Sequence, residues 1–222
     1  MRRPSRNDYD RIIKKERATA RLSDKTLYDL CGKYPKHEKR AHIHAKIWLI
    51  ARAMATGIER HIKSDKTQTG TALDKLERYI QRNSSDMEDI FKNLHRITGT
   101  LSEDSLTNIV SCHGRFLKLL SSIVKKSKLG RSSTVRSFAA KYMHFHSPLV
   151  PIYDNVNATK LKSLYPLREL RNSEMPENAD REYFRFVERL RRLASELNLN
   201  LRRRCIRDLD HYLRVLSGNS AN

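Results

Sequence analysis

Glycine and proline are scarce, at 7 and 6 in 222 residues. So few turn-formers exclude a disordered chain or one rich in short strands and turns. Cysteine occurs three times, as Cys31, Cys112 and Cys205. These lie far apart, match no metal-ligand spacing and suggest no disulfide framework. Unpaired thiols point to a reducing compartment, so a cytoplasmic location is expected. No stretch approaches the ~18 apolar residues of a membrane span. Met1–Asp8 is charged and no apolar run follows it, which reads as neither a signal peptide nor an anchor. Acidic residues are missing over one long stretch: between Asp104 and Glu169 the single carboxylate is Asp154.

What is present is positive charge on a helix-forming background. The formal net charge is +20, with 38% hydrophobic and 32% charged residues. That is polar but sufficient for a core, and Leu, Arg, Lys, Ala and Ser favour helices. A surface this basic needs a polyanionic partner. Nucleic acid is the leading one, because each neutralised phosphate releases counterions. A membrane surface fits less well, since the bases are spread over several segments and form no short amphipathic anchor. Charge is also uneven along the chain. Residues 71–104 hold more acids than bases, whereas the stretch from Asp104 to Glu169 carries Arg115, Lys118, Lys125, Lys126, Lys128, Arg131, Arg136, Lys141, Lys160 and Lys162 beside Asp154. A DNA-facing surface sheds carboxylates in this way.

The periodicity predicts an all-α fold, a single compact helical domain over 1–222 with possible lobes at 1–103 and 104–222. Residues 8–31 read as a charged helix broken near Ser23, and 40–63 as a strong helix with Ile43, Ile47, Ile50, Met54 and Ile58 on one face. Helices are expected at 71–82 and 86–96, with Ser84 or Ser85 as N-cap of the second and Glu88 completing a capping box. Others are expected at 102–126, 133–144, 155–164, 180–197 and 201–217. Asp154 stands where an N-cap belongs.

The segment Lys128–Ala158, KLGRSSTVRSFAAKYMHFHSPLVPIYDNVNA, is a basic Gly-containing turn, a helix, a Pro-bounded connector and an Asp at a helix start. It resembles the helix-hairpin-helix DNA glycosylase superfamily. There a hairpin grips the phosphate backbone through main-chain N–H groups, and a helix and a Pro-Val-Asp loop follow, the Asp being catalytic. Leu129-Gly130-Arg131 stands for the hairpin tip and Val150–Asp154 for the loop. The chain departs from the family in two places: Tyr153 separates the Asp one residue further from the proline, and no Pro-Gly-Val-Gly signature is present. The resemblance implies that Asp154 stabilises the oxocarbenium-like transition state of N-glycosidic cleavage on a base flipped out of double-stranded DNA. Tyr153, Tyr142, His144 and His146 supply a base pocket, with Trp48 and Arg52 from the 40–63 helix. Lys125, Lys126, Lys128, Gly130, Arg131, Ser132, Ser133 and Arg136 contact the backbone. Bifunctional members use a lysine well upstream of the Asp as an amine nucleophile. The corresponding stretch here, Ser132–Arg136, has none; Lys141 is too near in sequence and Lys128 too far. A monofunctional hydrolase without cofactor, metal or obligate protein partner is therefore expected. A bulky modified base, such as the decorated cytosines of some phage genomes, is one candidate substrate and would imply antiviral defence.

Plainer readings stand beside these. Asp154 also reads as a simple N-cap, Lys125–Arg131 as a solvated turn, and the His144/His146 pair as hydrogen-bonding histidines. Trp48 and Arg52 also fit a core helix with a salt-bridged edge. The rival function is a non-catalytic helical DNA- or RNA-binding protein. A nuclease would need several clustered carboxylates to hold Mg²⁺.

Overall fold

A computed structural model describes residues 3–18, 22–63, 70–124, 133–170 and 174–218. Among these the chain forms ten α-helices: α1 (Arg6–Ala18), α2 (Leu22–Lys33), α3 (Arg40–Ala53), α4 (Ala72–Arg82), α5 (Ser84–His95), α6 (Glu103–Leu120), α7 (Ser133–His146), α8 (Asn155–Leu164), α9 (Arg181–Glu196) and α10 (Arg203–Leu216). Short 3-10 turns occupy Ile58–His61 and Leu167–Glu169. The described residues form no strand, only an isolated antiparallel bridge between Ile62 and Val124. The fold is all-α, and no described helix is long and apolar enough to cross a membrane.

Helix α7 runs through the middle. Every residue from Val135 to His146 is buried, and α2, α3, α6 and α8 pack around it. A helix covered on all sides has no single apolar face. It therefore carries Arg136 and Lys141 into the interior, where each meets a carboxylate. One continuous core runs from Tyr9 to Leu213 and takes in Phe91, Phe116, Phe138 and Tyr142. Cys31 and Cys112 are buried and Cys205 is half-buried, all with free thiols.

Three features differ from expectation, the first being that the helix expected over 102–126 ends at Leu120. Second, the helix expected over 40–63 stops at Ala53. Thr56 N–H reaches Ala51 O at 3.1 Å and Ala55 N–H reaches Arg52 O at 3.3 Å, the paired bonds of a Schellman turn. Ala55 takes the left-handed position at φ 46°. The apolar spacing continues through Met54 and Ile58, both buried, because the following 3-10 turn presents Ile58 to the same core. The third difference is at α5, whose N-cap is Asn83 without a side-chain cap bond. Glu88 makes no capping box. It accepts from His37 N at 2.8 Å and from His37 Nδ1 at 3.0 Å, pinning the 34–39 loop to α5.

Candidate active site around Asp154

The connector between α7 and α8 is held from three directions. Ser147 N–H continues the α7 ladder to Met143 O at 2.7 Å. His144 Nδ1 donates to Val150 O at 2.8 Å, and Tyr183 of α9 donates from its hydroxyl to Pro151 O at 2.8 Å. With Nδ1 donating, His144 Nε2 is left to accept from the Tyr28 hydroxyl of α2. Burial pushes the His144 pKa down to about 4, so the imidazole is neutral, as this bonding requires. His113 of α6 stacks on Tyr183 with ring centroids 3.6 Å apart, fixing the ring that holds Pro151. His113, His144, Ser147 and Tyr183 are themselves buried, and Tyr28 is half-buried.

At its end Asp154 has a β-region backbone, and its Oδ1 accepts from Val156 N at 3.0 Å. The N-cap reading is therefore correct. Its other oxygen meets Lys141 Nζ at 3.2 Å. Lys141 is 4% exposed and Asp154 26%. The same ammonium donates to Met54 O, also at 3.2 Å, a carbonyl left open where α3 turns off. A carboxylate offers about four lone-pair directions. Two are taken here. Asp154 is thus a fixed and partly exposed carboxylate, paired with Lys141 from behind.

Several residues assigned to the site from sequence lie elsewhere. Tyr142 is fully buried, with its ring among Phe91, Phe116 and Phe138. His144 is a hinge of the connector. Tyr153 is buried against Phe186 and under the guanidinium of Arg136. Tyr142 and His144 are buried because α7 is enclosed on every side, and Tyr153 because the connector packs against α9. His146 is 8% exposed and lines a separate cavity. Arg136 is no free phosphate contact. It is 4% exposed and forms an ion pair with Asp180, the N-cap of α9, with Nη2 at 3.0 Å. Burial pushes the Asp180 carboxyl up, but the hydrogen bond and charge of Arg136 outweigh that and leave it below its ordinary value. Trp48 is 48% exposed on α3, and Arg52 is paired with Glu59 at 3.3 Å, the salt-bridged edge of the plainer reading. Ser133 opens α7 and is half-buried. Lys125, Lys126, Lys128, Gly130, Arg131 and Ser132 lie outside the described residues.

No protein-family model, curated protein or solved structure matches this chain.

Sequence reasoning missed three features. Lys141, set aside for its spacing to Asp154, is the residue that touches it. Among the described residues, one His-and-carboxylate group has metal-ligand proximity: His44, Asp74 and Glu77, with ligand atoms within 4.8 Å of one another. Its carboxylates already clasp α3 to α4, since Glu77 accepts from Arg40 and from His44 Nδ1, while Asp74 accepts from Thr71. Third, Arg202, Arg203 and Arg204 sit together where α10 begins. Three consecutive arginines at a helix start were visible in the sequence, where acids are usual.

Proposed function

We propose that this protein is a DNA N-glycosylase with Asp154 as its catalytic carboxylate. The observation that carries the reading is the setting of Asp154: paired with Lys141, held as an N-cap, a quarter exposed, and alone among acids between Asp104 and Glu169. In the proposed reaction the C1′–N bond breaks and the base departs with the bonding electron pair. Positive charge develops on the sugar and Asp154 stabilises it across the open face. Water then adds to C1′ and gives its proton to the Asp154 carboxylate, from which it passes to solvent, while the departed base takes up a proton from solvent. The products are a free base and an abasic site. Lys141 is buried and spent on Asp154 and Met54. It serves as a positioning residue, and the route is hydrolytic.

The test is to incubate wild type and Asp154→Asn with DNAs carrying normal, oxidised, alkylated, deaminated and phage-type modified bases, then count abasic sites with an aldehyde-reactive probe. Abasic sites from wild type alone support the reading. Equal turnover by the variant refutes Asp154 as the catalytic group.

A second reading, a non-catalytic nucleic-acid-binding protein, is favoured by the burial of Tyr142, Tyr153 and His144 in the core. It predicts binding to every DNA without abasic sites, and slightly tighter binding by Asp154→Asn as a repulsive charge is removed.

A further inference from the structure

A cavity of about 560 Å³ opens between the end of α5, the start of the α7–α8 connector and the beginning of α10. Its walls include His95, His146, Arg202 and Arg203, with Ile97 and Leu149 as apolar surface. Asp154 takes no part in it. Four other cavities on the molecule each have at least one Asp or Glu in the wall. This one has none.

Two further observations agree on the sign of its occupant, and a third marks unfilled hydrogen-bonding capacity in its wall. Arg202, Arg203 and Arg204 form no ion pair with a described carboxylate, although most arginines around them do. They surround the N-terminus of α10, a helix of 14 residues whose N-cap makes no side-chain hydrogen bond and whose first turn holds no acid. The partial positive charge of a helix start favours anions and opposes cations. Three arginines there repel the helix and each other until an anion joins them. Finally, His146 lines the cavity at 8% exposure, and neither its Nδ1 nor its Nε2 has a hydrogen-bond partner. Leaving buried polar atoms unpaired is costly.

We propose that this cavity binds the phosphate of a nucleotide, with the phosphate at Arg202, Arg203 and the α10 N-terminus, and the base or sugar against Ile97 and Leu149. The volume suits such a ligand. The anion site stands on the cavity itself; that a nucleotide owns the phosphate rests on the nucleic-acid reading above. No catalytic role of Asp154 is required.

The test is calorimetric titration of wild-type protein with inorganic phosphate, with dAMP and with deoxyadenosine, beside anisotropy of a short labelled single-stranded oligonucleotide. Arg202→Gln/Arg203→Gln removes the anion contacts from exposed positions. Lys14→Gln/Lys25→Gln removes the same charge nearby without touching the cavity wall. Wild type should bind phosphate saturably, dAMP more tightly, and deoxyadenosine more weakly than dAMP. The cavity pair should lose about tenfold in dAMP affinity, as expected for charge-assisted hydrogen bonds, and the control pair less than about twofold. Loss of oligonucleotide affinity in the cavity pair alone assigns the phosphate to a strand. An unchanged oligonucleotide affinity assigns it to a free nucleotide. No saturable binding of phosphate or dAMP, or equal losses in both pairs, overturns the site. Abasic-site counts on the same proteins report separately on the glycosylase reading.

Discussion

Asp154→Asn isolates charge from shape. Asn is as good an N-cap as Asp, so the bond from Val156 N survives through the amide oxygen. What changes is the side facing Lys141, where an NH₂ donor now meets a buried ammonium. A hydrogen bond to a charged group contributes about 1.5–3 kcal/mol, and the partial exposure of Asp154 places the loss near the lower part of that range, about 2 kcal/mol. For a chain of this length each kcal/mol moves the midpoint by roughly 2–4 °C, so Tm should fall by about 4–8 °C. Lys141→Met keeps the apolar stem and removes the cation. Met54 O then loses its donor, while Asp154 can turn to water, at a cost of about 1–2 kcal/mol. The double variant Lys141→Met/Asp154→Asn contains neither charge and should be more stable than the sum of the singles by about 1 kcal/mol or more. Urea titrations of all four proteins at one pH measure this directly. A coupling near zero, or an Asp154→Asn variant within about 0.5 kcal/mol of wild type, would refute the ion pair, and with it the claim that Lys141 holds Asp154 from behind.

Other outcomes follow from the core. Burial holds His113 and His144 down at about 4, below the unfolded value of about 6.5. The unfolded chain therefore takes up protons first, and stability that is complete above about pH 6.5 drains away as pH falls toward 4, by about 1.4 kcal/mol per unit for each histidine. Asp180 and Asp210, where arginine partners outweigh burial and leave the carboxyls lowered, add to the loss only below about pH 4. Urea midpoints that stay flat between pH 7 and 5 would contradict the burial of both imidazoles. Gly114→Ala would drive a methyl group into the main-chain oxygen of Asn178, so α6 and the segment leading to Asp180 must part. A loss of about 1–3 kcal/mol is expected, read as a lower urea midpoint. Ala55→Gly relieves the left-handed position that ends α3. Removing about 1–2 kcal/mol of strain, against about 0.4–1 kcal/mol for the freer unfolded chain, should raise Tm slightly, and a lower Tm would mean that Ala55 is unstrained.

The helices were legible because their apolar positions repeat at three and four, as Ile43, Ile47 and Ile50 do in α3. Asp154 was legible as a cap because Asp at a helix start has a specific backbone role. Lys141 was not legible. Sequence spacing assigns side chains to faces only when a helix has distinct faces, and α7 is buried all round. The same enclosure hid the fate of Tyr142 and His144, whose aromatic and polar character suits a pocket and a packed core equally. The end of α3 was overlooked because Ala55 carries no chemical mark of a left-handed turn, while Met54 and Ile58 prolong the apolar rhythm. Glu88 fitted a local capping pattern but was claimed by His37, a partner far away in sequence.

The pairing of α1 with α10 bears on how the chain comes together during synthesis. Tyr9 packs edge-on against Tyr212 at 5.3 Å, Arg17 pairs with Asp208, and Arg6 Nη1 reaches Leu197 O at 3.1 Å. Helix α1 thus has its docking surface on a helix made much later, with Arg17 and Asp208 191 residues apart. Contacts of such long range close slowly. Until α10 is released, Tyr9 and Ile13 present apolar surface with nothing to cover it, so a chain stalled or cleaved before residue 203 would carry a helix with no seat and be a ready client for chaperones and proteases.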